Sequence, residues 1–497
     1  MTPIEDSGLL TRTRLIIDGG WRPAARGRQY PVINPANPDE IVGQAALADK
    51  NDVDLAVQAA SRAFPAWAGL SFHERAVYLQ QIAERIVADQ DELQARIRLF
   101  TREHGKILRE STMEMTRLGD RFVYCAGQAD RLATDDVLPG PPFDTLITRQ
   151  PRGVAALIVP WNWPLSILGA KLPQALIAGN TVVIKPAQRS AMAPCLTMRI
   201  MAEVLPPGVL NVLTGASAEI GDALVSHPGV SKINFTGGVK TGKHVMRLAA
   251  DSLKPVTLEL GGNDPALVLE DALLDDQAIA RMVLGTFMTT GQVCMAIKRI
   301  YVHHSRYHEL LEQFMSATDR YVVGNGLDDG VTMGPLNNAA QLKIVQDFIA
   351  DAKHRGATIH ELGQIADEDI YRRGYFQRPV VVTGADHAMK IVAQEQFGPA
   401  IAIMPFSTEE EAVQLANNSE FGLCSSVWTQ DRERALNVAR RLEAGYTYLN
   451  AHGPTAQDNR APFGGFKQSG IGRNLGFEGI MEFMEPHSIS STAGWLS

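Results

Sequence analysis

The sequence predicts an α/β protein of more than one domain, on three observations. At 497 residues the chain exceeds the length over which one hydrophobic core keeps growing. Between residues 154 and 260, strand-like runs at 154–159, 181–185, 209–213, 232–235 and 256–260 alternate with helical patterns, the signature of a parallel sheet with crossover helices. From 265 to about 450 the alternation repeats, so a second α/β domain follows. Ligands of such sheets bind outside the carboxyl ends of the strands, and Asn162, Lys185, Gly237 and Glu259 all fall at such ends.

The elements before the first sheet follow from local pattern. Strand-like pieces at 14–18 and 30–34 flank Gly19-Gly20-Trp21-Arg22-Pro23, a turn-rich link of hairpin type. Ser71-Phe72-His73-Glu74 has capping-box spacing and opens an amphipathic helix that runs to about Arg102; a second helical run covers 107–130. Residues 135–142, rich in Pro, Gly and Asp, read as a linker, and 145–149 and 486–492 as exposed strands. No repeat with a period of tens of residues is visible.

Composition narrows the function classes. With 45% hydrophobic and 21% charged residues the chain is an ordinary globular protein, and a net charge of −8 leaves no broad basic footprint for nucleic acid or anionic lipid. Four scattered cysteines without C-x-x-C spacing speak against a disulfide framework and a structural zinc site, so no metal is expected. The start carries Glu5 and Asp6 with no basic-then-apolar leader, and the most apolar region, 154–184, is broken by prolines, asparagines and Lys171. The expectation is a soluble cytoplasmic protein without membrane partners.

Chemistry concentrates in Thr286-Phe287-Met288-Thr289-Thr290-Gly291-Gln292-Val293-Cys294-Met295-Ala296, between a helix-like run and a strand-like run. There Cys294 is expected at an element terminus, where unpartnered N–H groups can hold a thiolate. Cys125, Cys195 and Cys424 lie in apolar runs and read as small buried hydrophobes. Three further segments accompany the cysteine: Pro160-Trp161-Asn162-Trp163-Pro164, Leu258-Glu259-Leu260-Gly261-Gly262 and Glu395-Gln396-Phe397-Gly398-Pro399. With Pro462-Phe463-Gly464-Gly465-Phe466-Lys467-Gln468-Ser469-Gly470 behind them, these motifs resemble the aldehyde dehydrogenase superfamily, over residues 16–482.

The resemblance implies a Rossmann-like dinucleotide-binding domain (1–131 and 152–260), an α/β catalytic domain (261–450) and a β oligomerisation arm (132–151 and 478–497). Residues 451–477 return near the active site, and the assembly is a homodimer or homotetramer. It implies NAD or NADP as cofactor. Lys232-Ile233-Asn234-Phe235-Thr236-Gly237-Gly238 resembles the family's phosphate loop, with Gly237 and Gly242 letting backbone approach a pyrophosphate at a helix N-terminus, and with Gly238 in place of a serine. Lys185, Gln188 and Arg189 stand where the family holds the adenosine ribose, and Gln188 replaces a carboxylate that would repel a 2′-phosphate. Trp161, Glu395 and Phe397 match positions around the nicotinamide end.

An aldehyde gives up hydride only after its carbonyl carbon becomes sp³, and a thiolate can make it so, with preorganised donors for the oxyanion. Cys294 is the expected nucleophile, Asn162 and the Cys294 N–H the oxyanion donors, and Glu259 the base that activates water against the acyl thioester. Because members that pass the acyl group to coenzyme A generally lack this glutamate, the expected product is the free acid. Lys171 is expected as a relay to Glu259, and Glu482 as an end-segment contact. Trp163, Ala170, Val293, Met295, His452 and Thr455 are the expected tunnel walls. Ala170 stands where several relatives carry a large ring, and the apolar lining points to a medium-chain or aromatic aldehyde. A thiol esterase would use the same groups but leave Lys185, Gly237 and Glu395 without a task, and a catalytically idle binding protein on the same fold has no need to retain Asn162, Glu259 and Cys294 together.

Overall fold

The computed structural model of the chain describes residues 11–495. The stretch with Glu5 and Asp6 lies outside them. The alternation at 154–260 forms the centre of an eight-stranded sheet, in which Leu210–Val212, Thr181–Lys185, Val154–Ile158, Lys232–Thr236 and Val256–Glu259 lie side by side in that order. All four pairings among them are parallel. Chain order reverses at Val154–Ile158, so the crevice of this doubly wound sheet opens between that strand and Lys232–Thr236. Both strands are buried along their whole length; Val154–Ile158 reads accordingly as a continuous apolar run, while Lys232–Thr236 buries Lys232, Asn234 and Thr236 as well.

The predicted link itself supplies the return strand of the N-terminal hairpin, so the strands at 14–18 and 30–34 do not pair with each other. Leu15–Ile17 turns through Asp18 and Gly19, both at positive φ, and pairs with Gly20–Arg22, while Gln29–Asn34 pairs with Asn37–Ala46. The capping box forms with both its arms at Ser71 and Glu74. The helix it opens stops at Ala88, however, because Asp89 takes an extended conformation and caps a new helix, Gln90–His104, by accepting from Glu92 N–H at 3.0 Å. The run at 107–130 likewise divides, into Leu108–Thr116, Leu118–Ala126 and Ala129–Ala133.

A seven-stranded sheet follows, parallel except for its edge strand Thr358–Glu361, with Ile297–His303 inside it. The chain then returns to the first sheet: Gly470–Ile471 pairs antiparallel with Val256–Glu259, placing Gly470 opposite Glu259. The two predicted exposed strands belong together, since Phe143–Pro151 pairs with Met484–Thr492 and with Asp136–Leu138 in a separate three-stranded sheet. Among the described residues no helix is long and apolar enough to cross a membrane.

Candidate active site

One cavity of about 380 Å³ gathers side chains far apart in sequence: Asn162, Glu259 and Cys294 all line it. Asn162 follows the strand Val154–Ile158, and its Nδ2 donates one hydrogen to Gln292 O at 3.0 Å, which leaves the second hydrogen free. Among the described residues nothing accepts from the Cys294 N–H. Two donors are thus available beside the thiol.

Cys294 is half-buried, whereas Cys125, Cys195 and Cys424 are buried. Its setting differs from the expected element terminus. The helix Asp276–Phe287 ends well before it, and Thr289, Thr290 and Gly291 then run through three successive left-handed conformations (φ 51°, 58° and 70°). Two β-branched residues in that region store strain. The turn is held by Glu110, which accepts from Thr289 N–H at 2.6 Å, and by Thr290 Oγ1 donating to Gly334 O at 2.9 Å. Gly291 passes so close to Gly398 that a Cβ would stand 2.4 Å from its carbonyl oxygen. Burial pushes the Cys294 thiol up to about 12; Lys298 opposes that shift, while Glu395, Asp264 and Glu259 add to it.

Both carboxyl oxygens of Glu259 are buried without a hydrogen-bond partner among the described residues. Burial raises this carboxyl to about 8, and Lys171 and Arg473 offset part of the rise. Burial in turn lowers Lys171 to about 7, with Glu259 opposing. Lys171 is fully buried and hydrogen-bonds the side-chain oxygen of Asn234, whose Nδ2 donates to Asn474 Oδ1 at 2.8 Å. Asn474 also lines the cavity. Glu482 accepts from Lys232 Nζ at 3.1 Å and Thr257 Oγ1 at 2.8 Å.

Trp163, Ala170, Val293 and Met295 line the cavity, with Met113 and Phe463 among its other apolar walls. His452 and Thr455 do not. The His452 ring is buried behind the wall, 3.8 Å from Asp264 and close to Gly285, while Thr455 opens onto a neighbouring cavity. The expectation of a wholly apolar lining also needs correcting: Arg117, Asp120 and Arg121 reach the cavity from the helical region around 117–126, a part of the chain no motif marks.

The groups expected to hold a dinucleotide border the crevice. The helix Val239–Ala250 begins at Gly238 with no side-chain cap, and a Cβ at Gly238 would meet nothing within 4 Å. That setting suits a pyrophosphate. At Gly237 and Gly242 the reason for glycine is packing: a Cβ would lie 2.5 Å from the Phe235 ring and 2.5 Å from Leu260 respectively. Lys185 ends the strand Thr181–Lys185 and donates to Ser217 Oγ at 2.9 Å; burial lowers its amine to about 8. Gln188 is half-buried and Arg189 exposed. Trp161 meets Phe397 edge-on at 5.6 Å, and Phe397 itself holds φ 49°, braced by Gln341 donating to its carbonyl at 3.0 Å. Glu395 accepts from Gly262 N–H at 3.1 Å. The residues present therefore fit a bound dinucleotide.

Comparison with known proteins agrees with this geometry. The family model described as "Aldehyde dehydrogenase family" matches residues 21–489. The chloroplastic betaine aldehyde dehydrogenase of Beta vulgaris is 37% identical over 489 residues, 96% of each chain. Aminoaldehyde dehydrogenase 1, peroxisomal, of Pisum sativum is 38% identical over 488 residues, covering 96% of this chain and 95% of its own. The crystal structure of betaine aldehyde dehydrogenase from Staphylococcus aureus in complex with NAD+ superimposes with a TM-score of 0.91 at 34% identity, covering 99% of this chain and 96% of that one. With a match that spans nearly the whole chain, this protein belongs to the aldehyde dehydrogenase family.

Proposed function

We propose that the protein oxidises an aldehyde to the free carboxylic acid with NAD or NADP. The single observation that carries this reading is the convergence of Cys294, Asn162 and Glu259 on one cavity beside the crevice. The dinucleotide, when bound, supplies the hydride acceptor, and Lys185, the N–H groups after Gly238, Glu395 and the Trp161 and Phe397 rings would hold it. Cys294 gives up its thiol proton to water and its Sγ attacks the carbonyl carbon, and the free Asn162 hydrogen and the Cys294 N–H take the oxyanion. After hydride has left, the acyl group remains on Cys294 as a thioester. Glu259 removes a proton from water as that water attacks, the C–S bond breaks to free the acid and the Cys294 thiolate, and Lys171 offers the carboxyl a partner for its proton. The test is formation of reduced nucleotide by the purified protein with a panel of aldehydes; no signal with either nucleotide would sink the reading. An esterase reading leaves the uncapped helix and Lys185 unused.

For the substrate, the named relatives point to aminoaldehydes, and Asp120, an exposed carboxylate on the cavity wall, supports an aldehyde with an amine at its far end. An exposed charge pair is worth about 0.2–1 kcal/mol. Asp120→Asn is therefore expected to raise KM for an ω-aminoaldehyde by up to about fivefold and to leave that for hexanal unchanged. A medium-chain or aromatic aldehyde is the second reading. It is favoured by the room left at Ala170 and by Lys106, whose ammonium lies 4.1 Å from the Trp163 ring and spends one aromatic face on a protein cation. Better turnover of benzaldehyde than of the aminoaldehyde would decide for it.

On cofactor choice, Gln188 places a neutral amide where a carboxylate would repel a 2′-phosphate. Arg189, exposed and unpaired among the described residues, is free to approach one. Gln188→Glu is expected to lower kcat/KM for NADP by about tenfold, the equivalent of about 1.4 kcal/mol, and to leave NAD unchanged. Equal effects on both nucleotides would place Gln188 away from the ribose.

The separate three-stranded sheet exposes Val137, Leu138 and Phe143. This supports its role as an oligomerisation arm in a homodimer or homotetramer. The thiols, all unpaired, suit a reducing compartment such as the cytoplasm.

A further inference from the structure

Lys298, on the strand Ile297–His303, is 1% exposed. A buried ammonium is costly unless it is paired and hydrogen-bonded, and the polar groups that Lys298 Nζ meets among the described residues belong to the nucleophile loop or to the cofactor side. Its Nζ donates to Val293 O at 2.9 Å and Cys294 O at 2.7 Å, lies 3.5 Å from Ala296 O, and stands 3.6 Å from Glu395 Oε1. An apolar side chain would serve the packing of a central strand as well or better. The structure offers the thiolate little other help. Glu395, Asp264 and Glu259 all act against a negative sulfur. Lys171 hydrogen-bonds Asn234 and feels Glu259 more than it feels Cys294.

We propose that Lys298 is a positioning residue for Cys294: its ammonium gathers the Val293, Cys294 and Ala296 carbonyls into one turn and sets a positive field at the thiol that opposes the nearby carboxylates. This rests on Cys294 as the nucleophile, but the field can be read without turnover. The experiment is the rate of Cys294 alkylation by iodoacetamide in the nucleotide-free protein, at a fixed pH below the thiol's titration, with the site located by peptide mass spectrometry.

Lys298→Gln retains an amide donor for the carbonyls and drops the charge. It is expected to slow alkylation about tenfold, as one unit of thiol titration would, while Lys298→Arg keeps the rate within about threefold of the parent. Glu395→Gln removes an opposing charge and is expected to speed alkylation. Opposite signs in two variants of equal melting temperature do not arise from general loosening of the loop. An unchanged rate in Lys298→Gln, or a shift of the same sign in Lys298→Gln and Glu395→Gln, would overturn the proposal. Should Lys298→Gln fail to fold, Glu395→Gln decides alone, since absence of the faster rate contradicts the balance of charges. Turnover retained by Cys294→Ala would remove the catalytic reading while leaving the alkylation result to stand on its own.

Discussion

Replacing Glu259 with Gln is expected to split the reaction in two. The thiol and both oxyanion donors remain, so each active site should release one equivalent of reduced nucleotide as a burst. The steady rate after it should fall by roughly 10²- to 10⁴-fold, the usual loss when a positioned general base is removed. Burial holds the Glu259 carboxyl up to about 8, so at neutral pH most of it carries its proton and cannot accept another. In the parent enzyme the deacylation rate should therefore rise as pH passes upward through about 8, and this rise should be absent from Glu259→Gln. Stopped-flow nucleotide absorbance across that range checks both statements. Parent-like turnover in the variant would mean that another group activates the water.

Asn162→Ala acts on the other half. One Nδ2 hydrogen is committed to Gln292 O at 3.0 Å, which fixes the amide plane and aims the second hydrogen. Loss of one preorganised oxyanion donor typically costs about 10²–10³ in kcat, or about 2.7–4 kcal/mol. Because the donor acts on charge that develops only in the transition state, kcat should fall with KM little changed, and the burst itself should slow. A raised KM with unchanged kcat would assign Asn162 to substrate binding instead.

How far the sequence revealed this site depends on the kind of signal each residue leaves. Strand ends are legible because the strands of a parallel sheet alternate with helical patterns, so Asn162, Lys185 and Glu259 could be placed at a carboxyl edge from Val154–Ile158, Thr181–Lys185 and Val256–Glu259. The helix break at Asp89 was missed, although an aspartate three residues before Glu92 offers the cap that competes with helix continuation. His452 and Thr455 were misplaced because nearness to a motif says nothing about which side of the chain faces the cavity. Asp120, Asn474 and Lys298 carry no pattern of their own. An exposed acid, a polar residue after a glycine turn and a lysine in a strand become informative only when folding brings them to one cavity or one thiol.

The covalent intermediate is the central claim, and Glu259→Gln makes it observable. The variant is mixed with aldehyde and NAD, quenched in acid after the burst, digested and weighed by mass spectrometry. The account predicts that the peptide carrying Cys294 gains the mass of the substrate's acyl group, in proportion to the nucleotide reduced. Nucleotide reduced in a full burst with no acyl mass on Cys294 would contradict it.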